Sequence, residues 1–504
     1  MHSCLHRTLR LFCLLALCAP AFEVAAAPAV PEGPYIPDWT SLRHHDAAPD
    51  WFRDAKFGIY MHWGVYTVPA FGSEWYPRNM HIKTNAEYTH HVETYGEPSE
   101  FGYHDFVPDF TAEHFDPDEW AALFAQSGAR YAGLVAEHHD GFALWDSALT
   151  PWNAADRGPK RDLAGDLAKA VRAHGMRFVA TFHHARNNQH LENHNGLLEW
   201  DGHYPRVEGW PTVSEDPELR LLYGNLPRNT FLGLWLGKLQ EVIDAYQPDL
   251  IWFDSWLDEI PETYQTAFAA YYLNRAADWG KDVVITCKQR DLPLEVAVED
   301  FEKGRAAGIT EYPFLTDDTI SFGSWCHTEN LRIKPLRQVL HDFIDIVSKN
   351  GQLLLNISPT AEGVIPEEQR EVLLGLGQWL EGNGEAIYGT RPFLRYGEGP
   401  TKMRKAGHFV GTVQYTPEDI RFTRKGDIVY AIILGAPEKQ VLIEALAQAE
   451  LPDAEITGVR VLGWDGDINW DWKKRALCVD VPADAANPLA TALAVRFRPG
   501  SLEK

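Results

Sequence analysis

Six short apolar runs, each ending in polar side chains, limit what this chain can fold into. They are FGIYMHWG (57–64), YAGLVAEHHD (131–140), MRFVATFHH (176–184), LIWFDS (250–255), VVITCK (283–288) and QLLLNIS (352–358). Apolar residues follow one another in them without alternation, the pattern of strands covered on both faces, as in a parallel sheet. Stretches of helical periodicity lie between them, at 117–126, 161–174, 234–246, 264–277 and 336–348. Asp116 is placed to cap the first of these, with Pro117 in its first turn. Strands alternating with helices, with chemically useful residues where the strands end, form the pattern of a (β/α)8-like barrel, whose site lies on the C-terminal rim. A doubly wound open sheet is the competitor, but no glycine-rich phosphate turn follows the first run.

The chain's 504 residues exceed what the barrel alone needs, which is about 250 or somewhat more. Residues 366–382 read as a helix closing the barrel, with Pro366 in its first turn. After Gly389 the runs become short and β-rich, as at 428–433 and 492–497, with glycine and proline between them. A small C-terminal β-sandwich is expected there, giving a catalytic barrel over 28–390 and a second domain over 391–504. The aromatic, histidine-rich segment 71–109 is expected to form loops on the barrel rim.

At the N-terminus, Arg7 and Arg10 precede an apolar stretch at 11–22, and Ala25, Ala26 and Ala27 follow it. Residues 1–27 therefore read as a cleaved signal peptide, which implies a secreted or periplasmic protein. Cys18 lacks a small residue immediately before it, which speaks against lipidation. No later run of about 20 apolar residues suggests a membrane span. Cys287, Cys326 and Cys478 remain after processing, too few and too scattered for a disulfide framework or a zinc pattern. A net charge of −25 repels phosphate backbones and disfavours a nucleic-acid partner. Eighteen tryptophans suit a carbohydrate cleft, because indole faces stack on the C–H faces of sugars; about a third are expected to line one. Nothing in the pattern fixes an oligomeric state.

Asp254 ends LIWF, where a strand would carry it to the rim. A carboxylate there costs free energy unless something pairs with it or uses it, though an aspartate capping the next helix would look the same locally. Glu299, Asp300 and Glu302 follow the apolar stretch 292–298. A retaining glycosidase needs two carboxyl groups about 5–5.5 Å apart, one to attack the anomeric carbon and one to protonate the leaving oxygen. Two neighbouring strand tips can supply them; a solvated acidic turn is the plainer alternative for 299–302. His138 and His139, like His183 and His184, stand at strand ends and could bind sugar hydroxyls or a metal. Adjacent residues of a strand point to opposite faces, which speaks against a metal held by either pair, so no metal or cofactor is expected. His62, Glu74 and Trp75 lie in YMHWGVYTVPAFGSEWY, a cluster suited to gripping vicinal hydroxyls and stacking a ring.

Several blocks together resemble the glycoside hydrolase family of the α-L-fucosidases. They are 51–76, 128–147 and 250–256, then VEDFEKG (298–304), SKNGQLLLNISPTAEGVIPEEQ (348–369) and GEAIYGTRPF (384–393). The resemblance spans residues 40–395 and implies an irregular (β/α) barrel followed by a β-sandwich. It also implies retaining, metal-independent hydrolysis of terminal α-L-fucose from a fucosylated glycan or oligosaccharide. It makes Asp254 the nucleophile and aligns His62, Glu74, Trp75, His138, His139 and Trp252 with fucose-binding positions. His183, or its neighbour His184, stands where relatives often carry a tyrosine, and His183 is taken for that position. Where relatives often have an arginine, after the fifth strand, this chain has Lys288, with Arg290 two residues on. Glu302, in a Glu-x-Gly setting, fits the acid/base, with Glu299 in reserve and Glu311 behind it.

Overall fold

All six apolar runs form strands. Two further strands join them, and the eight close into a parallel barrel in the computed structural model, which describes residues 29–189, 202–438 and 440–502. The expected signal peptide lies outside the described residues. The barrel strands are β1 (Phe57–Met61), β2 (Tyr131–Glu137), β3 (Arg177–Phe182), β4 (Leu250–Phe253), β5 (Val284–Lys288), β6 (Val298–Asp300), β7 (Phe314–Thr319) and β8 (Gly351–Ile357). They neighbour one another in chain order, and β8 closes on β1 with Phe57 opposite Leu353 and Met61 opposite Ile357. Every residue of β1, β2, β4, β5 and β8 is buried, as their unbroken apolarity requires.

The two strands without an apolar run are β6, three residues long, and β7, which reads FLTDDT. Their neighbours are also where the barrel is irregular. Helices α1 (Pro117–Gln126), α2 (Leu163–Ala173), α3 (Arg228–Tyr246), α4 (Glu262–Trp279) and α5 (Leu336–Ser348) cover the other crossovers, and α6 (Glu367–Asn383) follows β8. Among the described residues, no helix connects β5 to β6 or β6 to β7; Leu292, Val296, Ala297 and Ala306 bury themselves there instead. Asp116 caps α1 as expected, its carboxylate accepting the N–H groups of Asp118 and Glu119, a contact worth about 1 kcal/mol. Pro366 stands one residue earlier than expected, at the N-cap of α6 rather than in its first turn.

The segment 71–109 is not purely loop. It holds helices at Tyr76–Asn79 and Ala86–Thr94 and a 3-10 turn at Tyr103–Asp109. Aromatic packing orders it: Phe71 stacks on His90 at 4.0 Å, and Phe106 meets Tyr95 at 4.8 Å and Phe101 at 4.9 Å.

Beyond Gly389 the chain is antiparallel β-structure: β9 (Arg391–Glu398), β10 (Ile420–Lys425), β11 (Ile428–Ile433), β12 (Val441–Ile443), β13 (Ile456–Val461), β14 (Asn469–Trp472), β15 (Leu477–Asp480) and β16 (Thr491–Phe497). A five-stranded sheet, β9-β10-β11-β16-β13, faces a three-stranded one, β12-β15-β14. Phe422, Val429, Ile443, Leu477 and Val495 belong to the core between them. Tyr430, Ile432, Ala492 and Ala494 instead join the core of the barrel. A buried ionic knot fixes the junction: Arg421 and Lys349 both donate to Asp345, at 2.6 and 2.7 Å, and together they keep its buried carboxylate ionised.

Candidate active site

Each of the eight strands carries at least one polar residue in or just beyond its C-terminal half, and these residues meet at one end of the barrel. β1 leads to His62, β2 to His138 and His139, β3 to His183, and β4 to Asp254. Lys288 ends β5, Glu302 lies two residues past β6, and β7 carries Asp317. Asn356, from β8, holds the His62 ring by accepting from its Nδ1 at 2.8 Å. A cavity of about 560 Å3 opens above them, also lined by Glu74, Trp75, Trp256, Trp325 and Phe409.

Lys288 is the centre of the charged floor. Its Nζ lies 2.8 Å from Asp254 Oδ1, 2.9 Å from Glu302 Oε2 and 3.6 Å from Asp317 Oδ2. Two contacts from one nitrogen hold the Asp254 and Glu302 oxygens less than about 6 Å apart, a bound that admits the spacing of a retaining pair. The lysine side chain is 3% exposed and the two acids 14% and 19%, so the ammonium sits beneath while the carboxyls reach the cavity.

The two acids are driven apart in acidity. Burial opposes ionisation of Asp254, but the Lys288 charge and the imidazoles of His183 and His139 outweigh it, holding this carboxyl well below the ordinary range. His139 Nε2 lies 3.2 Å from Asp254 Oδ2, and its Nδ1 donates to the His183 carbonyl, which fixes the ring. Glu302 is pushed up to about 7, chiefly by burial and further by the charges of Asp317 and Asp254, against the pull of Lys288. One carboxylate is thus kept ionised and its neighbour is poised to carry a proton near neutrality, the division a nucleophile and a general acid require. Burial of Lys288 is offset by Asp254, Asp317 and Glu302, which keep it charged.

The other expected residues are distributed as follows. His62, Glu74, Trp75, His138, His139 and His183 all line the cavity. Glu74 reaches it through the loop after β1, where its carboxylate accepts the Trp325 N–H at 3.0 Å. Trp252 is not among the lining residues; it packs inside the barrel, its ring 4.9 Å from Lys288 Nζ and 5.1 Å from the His183 ring. Glu299 points away: the strand pleat that buries Asp300 turns Glu299 outward to Arg290, at 3.0 Å. Glu311 is exposed and outside the cavity. His184 also faces away, its ring stacked on Trp235 and its Nε2 3.1 Å from the Trp235 carbonyl.

Opposed pointing therefore holds for 183–184 but not for 138–139, where β2 has already ended and a register shift at Val135/Glu137 loosens the alternation. Three histidines from three strands also converge: His62, His138 and His183 present ring nitrogens within 4.8 Å of one another. Burial keeps all three neutral, with His62 down at about 3. Such a trio can meet sugar hydroxyls or ligate a transition metal. Of the described tryptophans, three line the cavity and not the expected third; Trp63, Trp120, Trp145 and Trp235 are core.

Lys288, Asp317, Asn356, Trp256, Trp325 and Phe409 were not picked out from the sequence as site residues. Lys288 and Asn356 carry the same signal as Asp254, a polar residue closing an apolar strand. Asp317 lies in a strand with no apolar run, and Phe409 comes from beyond β9, where no local pattern marks it.

Comparison with known proteins gives the family of the chain. The Alpha-L-fucosidase family profile matches residues 23–385. Human tissue alpha-L-fucosidase is 32% identical over 454 residues, spanning 88% of this chain and 86% of its own; the rat protein is 31% identical over 457 residues. The crystal structure of Thermotoga maritima alpha-fucosidase in complex with fucose superposes with a TM-score of 0.70 at 31% identity, covering 92% of this chain and all of that one. With a matching barrel, a paired-carboxylate floor and similarity along most of its length, this chain belongs to the α-L-fucosidase family.

Proposed function

We propose the following division of labour for hydrolysis of terminal α-L-fucosides with retention, the reaction of this family. Fucose is held through its hydroxyls by His62, Glu74, His138, His139 and His183, with its apolar face and methyl group against Trp75. Asp254, ionised, attacks C1 while Glu302, protonated, donates to the leaving oxygen; Glu302 then draws a proton from water as that water releases the sugar. Lys288 keeps the Asp254 carboxylate charged and holds the two acids in register; Trp252 supports His183 and Lys288 from below. The observation that carries this reading is the single ammonium bonded to both Asp254 and Glu302.

The substrate is a fucosylated glycan or oligosaccharide, handled by a barrel unit of residues 28–390 with residues 391–504 packed against it. The basic, apolar and small-residue order of residues 1–27 supports export to the periplasm or the medium. No described helix is long and apolar enough to cross a membrane.

A second reading follows from the histidine trio: a hydrolytic metal held by His62, His138 and His183. One assay separates the two. Hydrolysis of 4-nitrophenyl α-L-fucoside is expected, and kcat/KM is expected to survive dialysis against EDTA unchanged. Loss of turnover on dialysis, restored by zinc, would make the trio a catalytic metal centre instead.

A further inference from the structure

The part of the cavity wall beside Glu302 comes from a distant stretch of chain. Residues 407–410 lie between β9 and β10, with His408 106 residues after Glu302, yet they run antiparallel to residues 302–305. Arg305 and Gly407 exchange hydrogen bonds at 3.0 and 2.8 Å, and the Val410 N–H donates to the Lys303 carbonyl at 3.0 Å. A Cβ at Gly304 would stand 2.3 Å from the Gly407 oxygen, so an approach this close needs glycine. Glu302 itself is tied on both sides: its N–H donates to His408 Nδ1 at 3.0 Å, and its carbonyl accepts the Phe409 N–H at 2.8 Å.

The strap presents Phe409 to the cavity. The side chain is 56% exposed although it is a large apolar group, and its backbone is left-handed, φ 52°, a conformation phenylalanine rarely adopts. Exposed apolar surface held by an unusual backbone at the lip of a site is a mark of ligand contact. Beyond the nucleophile, Trp256 has the same two traits: φ 85° and a place in the cavity lining. Glu302 protonates the glycosidic oxygen, so whatever is attached to that oxygen departs past Glu302 and against its neighbour in the strap.

We propose that Phe409 is the stacking wall of a leaving-group subsite, and that the group it receives is a pyranose presenting a C–H face. The inference rests on the reading of Glu302 as acid/base. The C-terminal segment thereby sets which fucosides are cleaved, while the barrel performs the cleavage.

The test compares two substrates on the full-length enzyme. In α-L-fucosyl fluoride the leaving group is one atom and leaves the wall empty; in an α-L-fucosyl-galactose disaccharide it is a pyranose. The quantity read is the ratio of kcat/KM for the disaccharide to that for the fluoride. Phe409→Ala should lower this ratio about tenfold, mainly through KM for the disaccharide, and Phe409→Trp should restore it to within about threefold. A ratio unchanged in Phe409→Ala would overturn the proposal. So would an equal fall on both substrates, which would make the strap a brace for Glu302 and nothing more. A wild-type enzyme inert on the fluoride would sink the reading of Glu302 and Asp254, and this inference with it.

Discussion

Alanine in place of Asp254 is expected to lower kcat/KM on an aryl α-L-fucoside by about ten-thousand-fold or more, close to 5.5 kcal/mol of transition-state stabilisation. Without the carboxylate no glycosyl-enzyme forms, and neither histidine nor Lys288 offers a nucleophile at the same place. The fold should survive the change, because Lys288 keeps Glu302 and Asp317 as partners. Azide, small enough to occupy the vacated space, is expected to restore part of the rate. It would attack from the face Asp254 used, so the product should be the β-fucosyl azide, inverted with respect to the substrate. Near-wild-type turnover by Asp254→Ala would show that the nucleophile lies elsewhere.

The second large effect belongs to Glu302. Glu302→Gln cannot donate a proton, so kcat on a fucosyl disaccharide is expected to fall by about a hundred- to ten-thousand-fold. An aryl fucoside whose phenolate leaves unaided should suffer much less in the first step, leaving hydrolysis of the glycosyl-enzyme to limit the rate. Azide needs no general base, so it should accelerate this variant too, but with an α-fucosyl azide as product, since Asp254 still performs the first displacement. The two azides tell the two roles apart.

The pH profile supplies an independent check on the same residue. Catalysis needs Glu302 protonated and Asp254 ionised. Glu302 is raised to about 7, so it loses its proton, and kcat/KM its rate, as pH climbs past neutrality. Asp254 is held well below the usual carboxylate range, so the acid limb should lie lower than an ordinary aspartate would place it. In Glu302→Gln the alkaline limb should vanish while the acid limb stays.

Much of the barrel can be read from the order of residues because a strand buried on both faces has to be apolar throughout. β1 to β5 and β8 obey that rule and are visible; β6 is too short, and β7 spends its residues on Thr316, Asp317 and Asp318. The same rule exposes site residues wherever a polar side chain ends an apolar run, as at His62, His138, His183 and Asp254. Lys288 obeys it as well, but a lone lysine says nothing about its partners: its meaning depends on Asp254, Glu302 and Asp317 arriving from three other strands. Choosing Glu302 over Glu299 comes from the family's Glu-x-Gly pattern, and the pleat of β6 supplies the physical reason, turning Glu299 out toward Arg290. Phe409 could not be read locally, because its contact with Glu302, made across 107 residues, leaves no periodicity behind.

Both variants depend on a covalent bond between fucose and one oxygen of the β4 tip. The most direct measurement is to trap it: incubate the enzyme with 2-deoxy-2-fluoro-α-L-fucosyl fluoride, whose fluorine slows hydrolysis of the glycosyl-enzyme, then digest and sequence the labelled peptide by mass spectrometry. One 2-fluorofucosyl group per chain, attached to Asp254, is the predicted result. A label on any other side chain, or an enzyme that turns over fucosides yet never accumulates the adduct and releases β-fucose first, would contradict it.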